Sequence, residues 1–111
     1  MYSNDEIMQF VNIVVEVSDP DKIILFGSYA YGVPTDESDI DLLVIKNGKE
    51  LSIDDEVDLA YAVFQKKMKS NIKTRYDIFF NTEHEVKEIA ERSGAFIDAL
   101  QRGKVVYVRR D

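Results

Sequence analysis

Two aspartates, Asp39 and Asp41, flank the start of a short apolar segment that runs from Ile40 to Ile45. Because alternate residues of a β-strand face the same side, both carboxylates would project from one face while Ile40 and Leu42 point into the core. Two like charges on one face repel each other unless a cation lies between them. Carboxylate oxygens are the ligands that Mg²⁺ prefers, and Mg²⁺ often shares its coordination with substrate phosphates. The spacing therefore predicts a metal clamp that works on a phosphate-bearing substrate.

A glycine-serine pair, Gly27-Ser28, precedes Asp39 by ten intervening residues and directly follows the apolar run Ile23 to Phe26. Glycine allows the backbone to approach a ligand closely, and a serine at the start of a helix offers its hydroxyl beside exposed amides. This pair is a candidate phosphate-binding turn. A simple turn with a helix cap is the plainer alternative.

A third carboxylate is expected on a neighbouring strand, and Asp77 is the candidate. It lies in YDIFF, residues 76–80, where the residues that follow it are apolar. An isolated carboxylate in such a segment favours a functional role. The alternatives are a solvent-facing strand residue or an ion pair with Arg75.

The elements that must position these residues follow from periodicity and turn signals. The pattern predicts helices at 4–17, 28–31, from Ser52 to about 69, from Thr82 to about 92 and at 95–102, with strands at 23–26, 40–45, 76–80 and 105–108. Asn47-Gly48 predicts a turn that either closes a hairpin or leads out of the sheet. The order predicts one α/β (α+β) domain over residues 1–111, with a small mixed sheet flanked by helices.

The helix that begins at Ser52 has acidic residues in its first turn and three lysines near its end, as the helix dipole favours. Its predicted core stripe consists of Val57, Tyr61, Phe64 and Met68. Near the candidate site, Tyr29 and Tyr31 either flank a nucleotide base or pack against the protein. His84 lies in the first turn of a capped helix, where we expect an exposed structural role.

Composition narrows the function classes. The chain has 111 residues, a formal charge of −7 and no cysteine. Such acidity argues against extended contact with nucleic acid, whereas a nucleotide held through divalent ions remains compatible with it. The absence of cysteine excludes disulfides and thiolate catalysis and favours a reducing cytoplasm. The sequence lacks an apolar run long enough to span a bilayer and a signal-peptide pattern, so we expect a cytoplasmic protein without a membrane partner.

Taken together, Gly27-Ser28 and Asp39-Ile40-Asp41 resemble the active-site signature of the DNA polymerase β-like nucleotidyltransferase superfamily. The short length and the SDIDLLV segment, residues 38–44, are most similar to the minimal nucleotidyltransferases. The resemblance covers about residues 23–80 and departs from the family at Tyr31, where arginine is common. That departure concerns phosphate or partner contacts rather than the three aspartates.

The resemblance implies a polymerase β-like fold and transfer of AMP from ATP to a hydroxyl acceptor. It implies two Mg²⁺ ions bound by Asp39, Asp41 and Asp77, with Gly27 and Ser28 binding the nucleotide. It also implies a HEPN-type partner toxin, with this chain as an antitoxin that adenylylates a partner tyrosine. Two alternatives stay open. One is a noncatalytic antitoxin that neutralises its partner by covering it, and the other is an enzyme that modifies small molecules.

Overall fold

The structure is a computed structural model that describes residues 1–48 and 50–110. Within these residues the chain forms five helices and four strands, in an order that agrees with the sequence prediction. Their bounds are α1 (Asn4–Ser18), β1 (Lys22–Phe26), α2 (Ser28–Tyr31), β2 (Ile40–Ile45), α3 (Ile53–Lys69), β3 (Tyr76–Asn81), α4 (Glu83–Ala90), α5 (Gly94–Arg102) and β4 (Lys104–Val108).

The strands form one mixed sheet in the order β3-β2-β1-β4. Strand β1 pairs antiparallel with both β2 and β4, whereas β2 pairs parallel with β3. A parallel pair requires a crossover connection, and α3 supplies it. Asn47-Gly48 therefore leads the chain out of the sheet and does not close a hairpin.

Side-chain alternation along the strands divides the core into two layers. One face of the sheet presents Ile23, Leu25, Leu42 and Val44 to α1 and α3. The other face packs on α4 and α5 through a second set of residues, which are Ile24, Phe26, Leu43, Ile45, Val86 and Ala99. Both faces of the central strands β1 and β2 are thus buried, which explains why their sequences are almost continuously apolar.

Reciprocal side-chain and backbone hydrogen bonds fix the start of three helices. In α1, α3 and α4 the N-cap residues are Ser3, Ser52 and Thr82, and each hydroxyl accepts from the backbone N–H three residues on. In return, the N–H of each cap residue donates to a carboxylate three residues on, which belongs to Glu6, Asp55 or Glu85. Local sequence is enough to position these ends.

The predicted core stripe of α3 was wrong. Val57, Tyr61, Phe64 and Met68 are all more than half exposed. The helix instead turns Val63 into the core, with Leu59 packed beside it. A helix with apolar residues on two faces can satisfy the hydrophobic pattern in either orientation, and packing against α1 selects the narrower face. No helix among the described residues is both long and apolar enough to cross a membrane.

Candidate active site

Asp41 and Asp77 lie side by side on neighbouring strands. In the parallel register of β2 and β3, Ile40 pairs with Tyr76 and Asp41 pairs with Asp77. The residues before and after each aspartate pack into the α1 and α3 layer, so both carboxylates project from the opposite face. Two residues that are 36 positions apart in the sequence are therefore brought together by strand pairing alone.

Crowding of carboxylates at this point perturbs Asp41. Partial burial, followed by the negative charges of Asp77 and Asp39 and a hydrogen bond with Asp77, raises the pKa of the Asp41 carboxyl to about 6. Each of these effects disfavours the charged form. Asp39 lies just before β2 and on the same side as Asp41, so the structure brings all three predicted aspartates close enough to interact.

Asp39 forms an ion pair with Arg75, which the sequence had offered as an alternative partner of Asp77. Arg75 Nε lies 3.3 Å from Asp39 Oδ1, and the same guanidinium donates to the backbone carbonyl of Asp36. Arg75 therefore pairs with Asp39. In the part of the chain that the structure describes, no three His, Cys, Asp or Glu side chains form a ready-made metal site.

Gly27 provides space for the Asp41 carboxylate. Its φ of 74° falls in the left-handed region that favours glycine, and a Cβ at this position would overlap Asp41 Oδ2. The residue before it, Phe26, pairs with Asp41 across β1 and β2. Ser28 follows as the first residue of α2, and the N–H groups of Ser28 and Tyr29 precede the first hydrogen bonds of the helix, which Ala30 and Tyr31 donate to the Gly27 carbonyl. The glycine-serine turn and the aspartates thus occupy one corner of the sheet.

Two tyrosines, Tyr2 and Tyr29, pack against each other next to this corner of the sheet. Tyr29 stacks on Tyr2 with ring centroids 5.9 Å apart, and the Tyr29 hydroxyl accepts a bond from the Tyr2 N–H. The Tyr2 hydroxyl in turn accepts from the backbone N–H of Arg75. Because its ring and its hydroxyl are both engaged inside the protein, Tyr29 is a packing residue rather than a platform for a base.

A guanidinium covers Tyr31. The Arg102 side chain, at the end of α5, lies 4.6 Å from the centre of the Tyr31 ring. On the same face as Asp77, the rings of Phe26, Phe79 and Phe96 form a cluster with centroids 5.6 to 6.3 Å apart. Sequence reasoning missed Arg102, because its position depends on how α5 docks. His84 is exposed and pairs with Glu88, as expected.

The corner combines acidic oxygen donors, a close-approach glycine and a serine hydroxyl. Such a set of groups can bind a phosphate ester through a metal ion that the carboxylates coordinate. Comparison with known proteins identifies its class. Residues 7–106 match the nucleotidyltransferase domain family. The chain belongs to this family.

This nucleotidyltransferase also has a curated relative from Methanocaldococcus jannaschii, provisionally described as a protein adenylyltransferase. The two are 32% identical over 89 residues, which is 78% of this chain and 77% of the relative.

Solved structures share the fold at lower identity. A toxin-antitoxin crystal structure with AMP-PNP is 20% identical with a TM-score of 0.55, and the match covers 98% of this chain and 76% of that one. A provisionally assigned nucleotidyltransferase from Sulfolobus solfataricus is 23% identical with a TM-score of 0.56, covering 97% and 91%. The α/β architecture is therefore that of known nucleotidyltransferases.

Proposed function

We propose that this nucleotidyltransferase transfers AMP from ATP to a hydroxyl group of a protein, namely a tyrosine of a HEPN-type partner toxin. The observation that carries the proposal is the pairing of Asp41 with Asp77 beside Gly27-Ser28. The curated relative described as a protein adenylyltransferase supports the reaction. The toxin-antitoxin structure with AMP-PNP supports the nucleotide and the class of partner.

The reaction needs one bond to form and one to break. The acceptor hydroxyl oxygen attacks the α-phosphorus of ATP, and the bond from that phosphorus to the bridging oxygen of pyrophosphate breaks. Asp77 is exposed on the strand edge and accepts the hydroxyl proton. Pyrophosphate leaves with the electron pair of the broken bond, so atoms and charges balance.

The three aspartates would supply the oxygen ligands for two Mg²⁺ ions. Their oxygens are hard ligands, and Asp41 and Asp77 project from the same face at paired positions of β2 and β3. Asp39 and Asp41 would hold both ions, and Asp77 would hold the ion on the acceptor side. When bound, the ions lower the pKa of the acceptor hydroxyl and stabilise the leaving pyrophosphate.

Groups at the start of α2 would bind the triphosphate. Ser28 offers its hydroxyl, and the N–H groups of Ser28 and Tyr29 precede the first hydrogen bonds of the helix. Arg102 would add a positive charge, because its guanidinium lies over Tyr31, three residues after Ser28. Arg102 belongs to α5, whereas the arginine common in the family lies at position 31, in α2.

A second candidate is a noncatalytic antitoxin that neutralises its partner by steric cover. The formal charge of −7 would give such a protein an acidic binding surface. A pure binding protein, however, has no physical need for a glycine that accommodates an aspartate, or for repelling carboxylates in register.

The decisive experiment incubates the purified chain with α-labelled ATP, Mg²⁺ and the protein encoded beside it, followed by intact mass spectrometry of both. We expect the neighbour to gain one or more AMP masses. Asp39→Asn and Asp77→Asn should lower the rate by about a hundredfold or more. Asp5→Asn, an exposed carboxylate in the first turn of α1, is the matched control and should keep the full rate.

The outcomes separate the two candidates. A mass gain that persists in Asp39→Asn would contradict the assigned site. A tight complex without a mass gain, in which the neighbour is inhibited by wild type and by Asp39→Asn alike, would replace the enzymatic proposal by the steric one. Peptide sequencing of the modified neighbour then tests whether the acceptor is tyrosine.

A further inference from the structure

Helix α3 carries an exposed apolar stripe that the fold does not use. It consists of Ile53, Val57, Tyr61, Phe64 and Met68, whose exposed fractions lie between 52% and 79%. Five side chains of this size leave on the order of 500 Å² of apolar surface in water, which is near the upper end for a monomer. We call this set the α3 stripe.

The stripe lies on the side of α3 opposite the core, and Val57 at its margin also borders a cavity lined by Phe79 and Phe96. At about 100° per residue its members cluster on one side of the helix, roughly 140° from the direction of Val63 and Leu59, which face the core. Its members follow each other at intervals of four, four, three and four residues, centred on Tyr61. Read from either end, the pattern is nearly the same.

The charges beside the stripe change sign along the helix. Asp54 lies on one flank near the beginning of α3, and Lys69 lies on the same flank at its end. Glu56 and Lys67 repeat this arrangement on the other flank. Lys67 also lies over the Tyr76 ring, which holds its ammonium group near this flank.

This arrangement is complementary to itself in the antiparallel direction. When a second α3 runs antiparallel with Tyr61 at the twofold axis, Val57 meets Phe64 of the other copy and Ile53 meets Met68. In such a pair equal flanks face each other, so Asp54 comes opposite Lys69, and Glu56 comes opposite Lys67. No like charges are opposed at these positions.

We propose that the α3 stripe is the interface of a homodimer, in which two copies of this chain pack their α3 helices antiparallel about Tyr61. A twofold interface requires a self-complementary surface, and the palindromic spacing and charges meet that requirement. With its charged rim the surface approaches the roughly 800 Å² per partner of a standard interface. The proposal does not depend on nucleotidyl transfer.

The first test measures molar mass by light scattering over a range of concentrations. We expect a reversible dimer, and we expect Val57→Glu to weaken it at least tenfold by burying a charge at the interface. Val33→Glu makes the same change at an exposed valine in the loop after α2 and should leave the mass unchanged. A wild-type mass that stays at one chain up to roughly 0.5 mM would overturn the proposal, and the stripe would then await a different protein.

Charge exchange tests the antiparallel direction. Lys69→Glu should weaken the dimer roughly three- to tenfold, because it places two acidic groups opposite each other. Asp54→Lys combined with Lys69→Glu in the same chain should restore it, since each copy then offers the reversed pair. A double variant as weak as the sum of its single changes would refute this pairing.

Cross-linking tests the position of the twofold axis. The chain has no cysteine, so Tyr61→Cys introduces the only thiol. Near the axis the two thiols would meet, and mild oxidation should give a disulfide dimer in high yield. Val33→Cys is the matched control and should give no disulfide-linked dimer under the same conditions. Equal yields from the two variants would contradict the axis at Tyr61.

Discussion

At the scale of single residues, Asp41 is the most perturbed group of the site. It is partly buried, and the negative charges of Asp77 and Asp39 raise its pKa further. The fold therefore holds a carboxylate where its charged form is disfavoured. An arrangement that works against stability in this way is typical of sites whose geometry serves a ligand.

Asp41→Asn should stabilise the metal-free protein at neutral pH. The Asp41 pKa is about 6 in the folded chain and 3.8 as the ordinary value, so the folded state binds the extra proton between these values. Stability from this group is present at low pH and is lost as the pH rises toward 6. Because the group is partly solvated, we expect a gain of roughly 2–5 °C in Tm above pH 6.

Calorimetry of both proteins in EDTA from pH 4 to 7.5 checks this. The difference between them should vanish near pH 4, where both side chains are neutral. Glu37→Gln, at an exposed loop position, is the control and should show no such trend. An Asn variant that is less stable than wild type at pH 7 would contradict the environment described for Asp41.

Gly27→Ala should impair both the fold and the site. Alanine at φ 74° is strained, and its Cβ would overlap the Asp41 carboxylate. We expect a loss of about 1–3 kcal/mol in the free energy of unfolding and a displaced Asp41. Denaturant unfolding measures the first effect. Gly48→Ala, also at positive φ but with open space around its Cβ, is a control that isolates backbone strain.

Arg102→Ala should raise the KM for ATP about tenfold with little change in kcat, because it removes a charge that binds the triphosphate in ground and transition states alike. This rests on the proposed function. Adding Tyr31→Arg to that variant returns a guanidinium to the family's usual position and should recover most of the affinity. An unchanged KM in Arg102→Ala would remove Arg102 from the site.

At the scale of elements, β1, β2 and the capped ends of α1, α3 and α4 could be predicted from the sequence, because each depends on neighbouring residues. The orientation of α3 could not. Its apolar residues form two stripes, and only packing against α1 decides that Val63 lies inside while Val57 stays in water. The stripe with more aromatic residues was predicted as the core, and the narrower one is buried.

Val63→Ala tests this orientation directly. The buried methyl groups of Val63 leave a cavity when removed, and we expect a loss of about 1–3 kcal/mol in unfolding free energy. Val57→Ala, the same change on the exposed face, should stay within about 0.5 kcal/mol. Urea unfolding of both variants, at concentrations low enough to keep the chain monomeric, provides the comparison. Equal losses would contradict the observed packing.

The structure brings the predicted residues of the candidate site together, but several of their contacts could not be predicted. Gly27, Ser28, Asp39 and Asp41 lie close in sequence, and alternation along a strand places the two aspartates on one face. The place of Asp77 in the site could be predicted only on the assumption that its strand lies next to β2. Two contacts, the Arg75–Asp39 ion pair and the stacking of Arg102 on Tyr31, join distant segments, so no local sequence pattern predicts them.

At the scale of the whole molecule, the net charge would decide which nucleotide species binds at the proposed site. A chain with a formal charge of −7 repels free ATP, and the aspartates sharpen that repulsion at the proposed site. Mg²⁺ would reverse the local sign. We therefore expect ATP affinity, measured by calorimetry, to fall at least tenfold when EDTA replaces Mg²⁺. Metal-independent binding of equal strength would contradict the proposed role of the aspartates.

The parallel pairing of β2 with β3 has a consequence for fidelity. A slip of β3 by one residue would turn Asp77 toward the α1 and α3 layer and expose Ile78 and Phe80, which now pack there. The burial of Ile78 and Phe80 therefore also favours the alignment of Asp77 with Asp41. A chain with β3 shifted by one residue would lose this burial, so the packing of the α1 and α3 layer disfavours it relative to the aligned form.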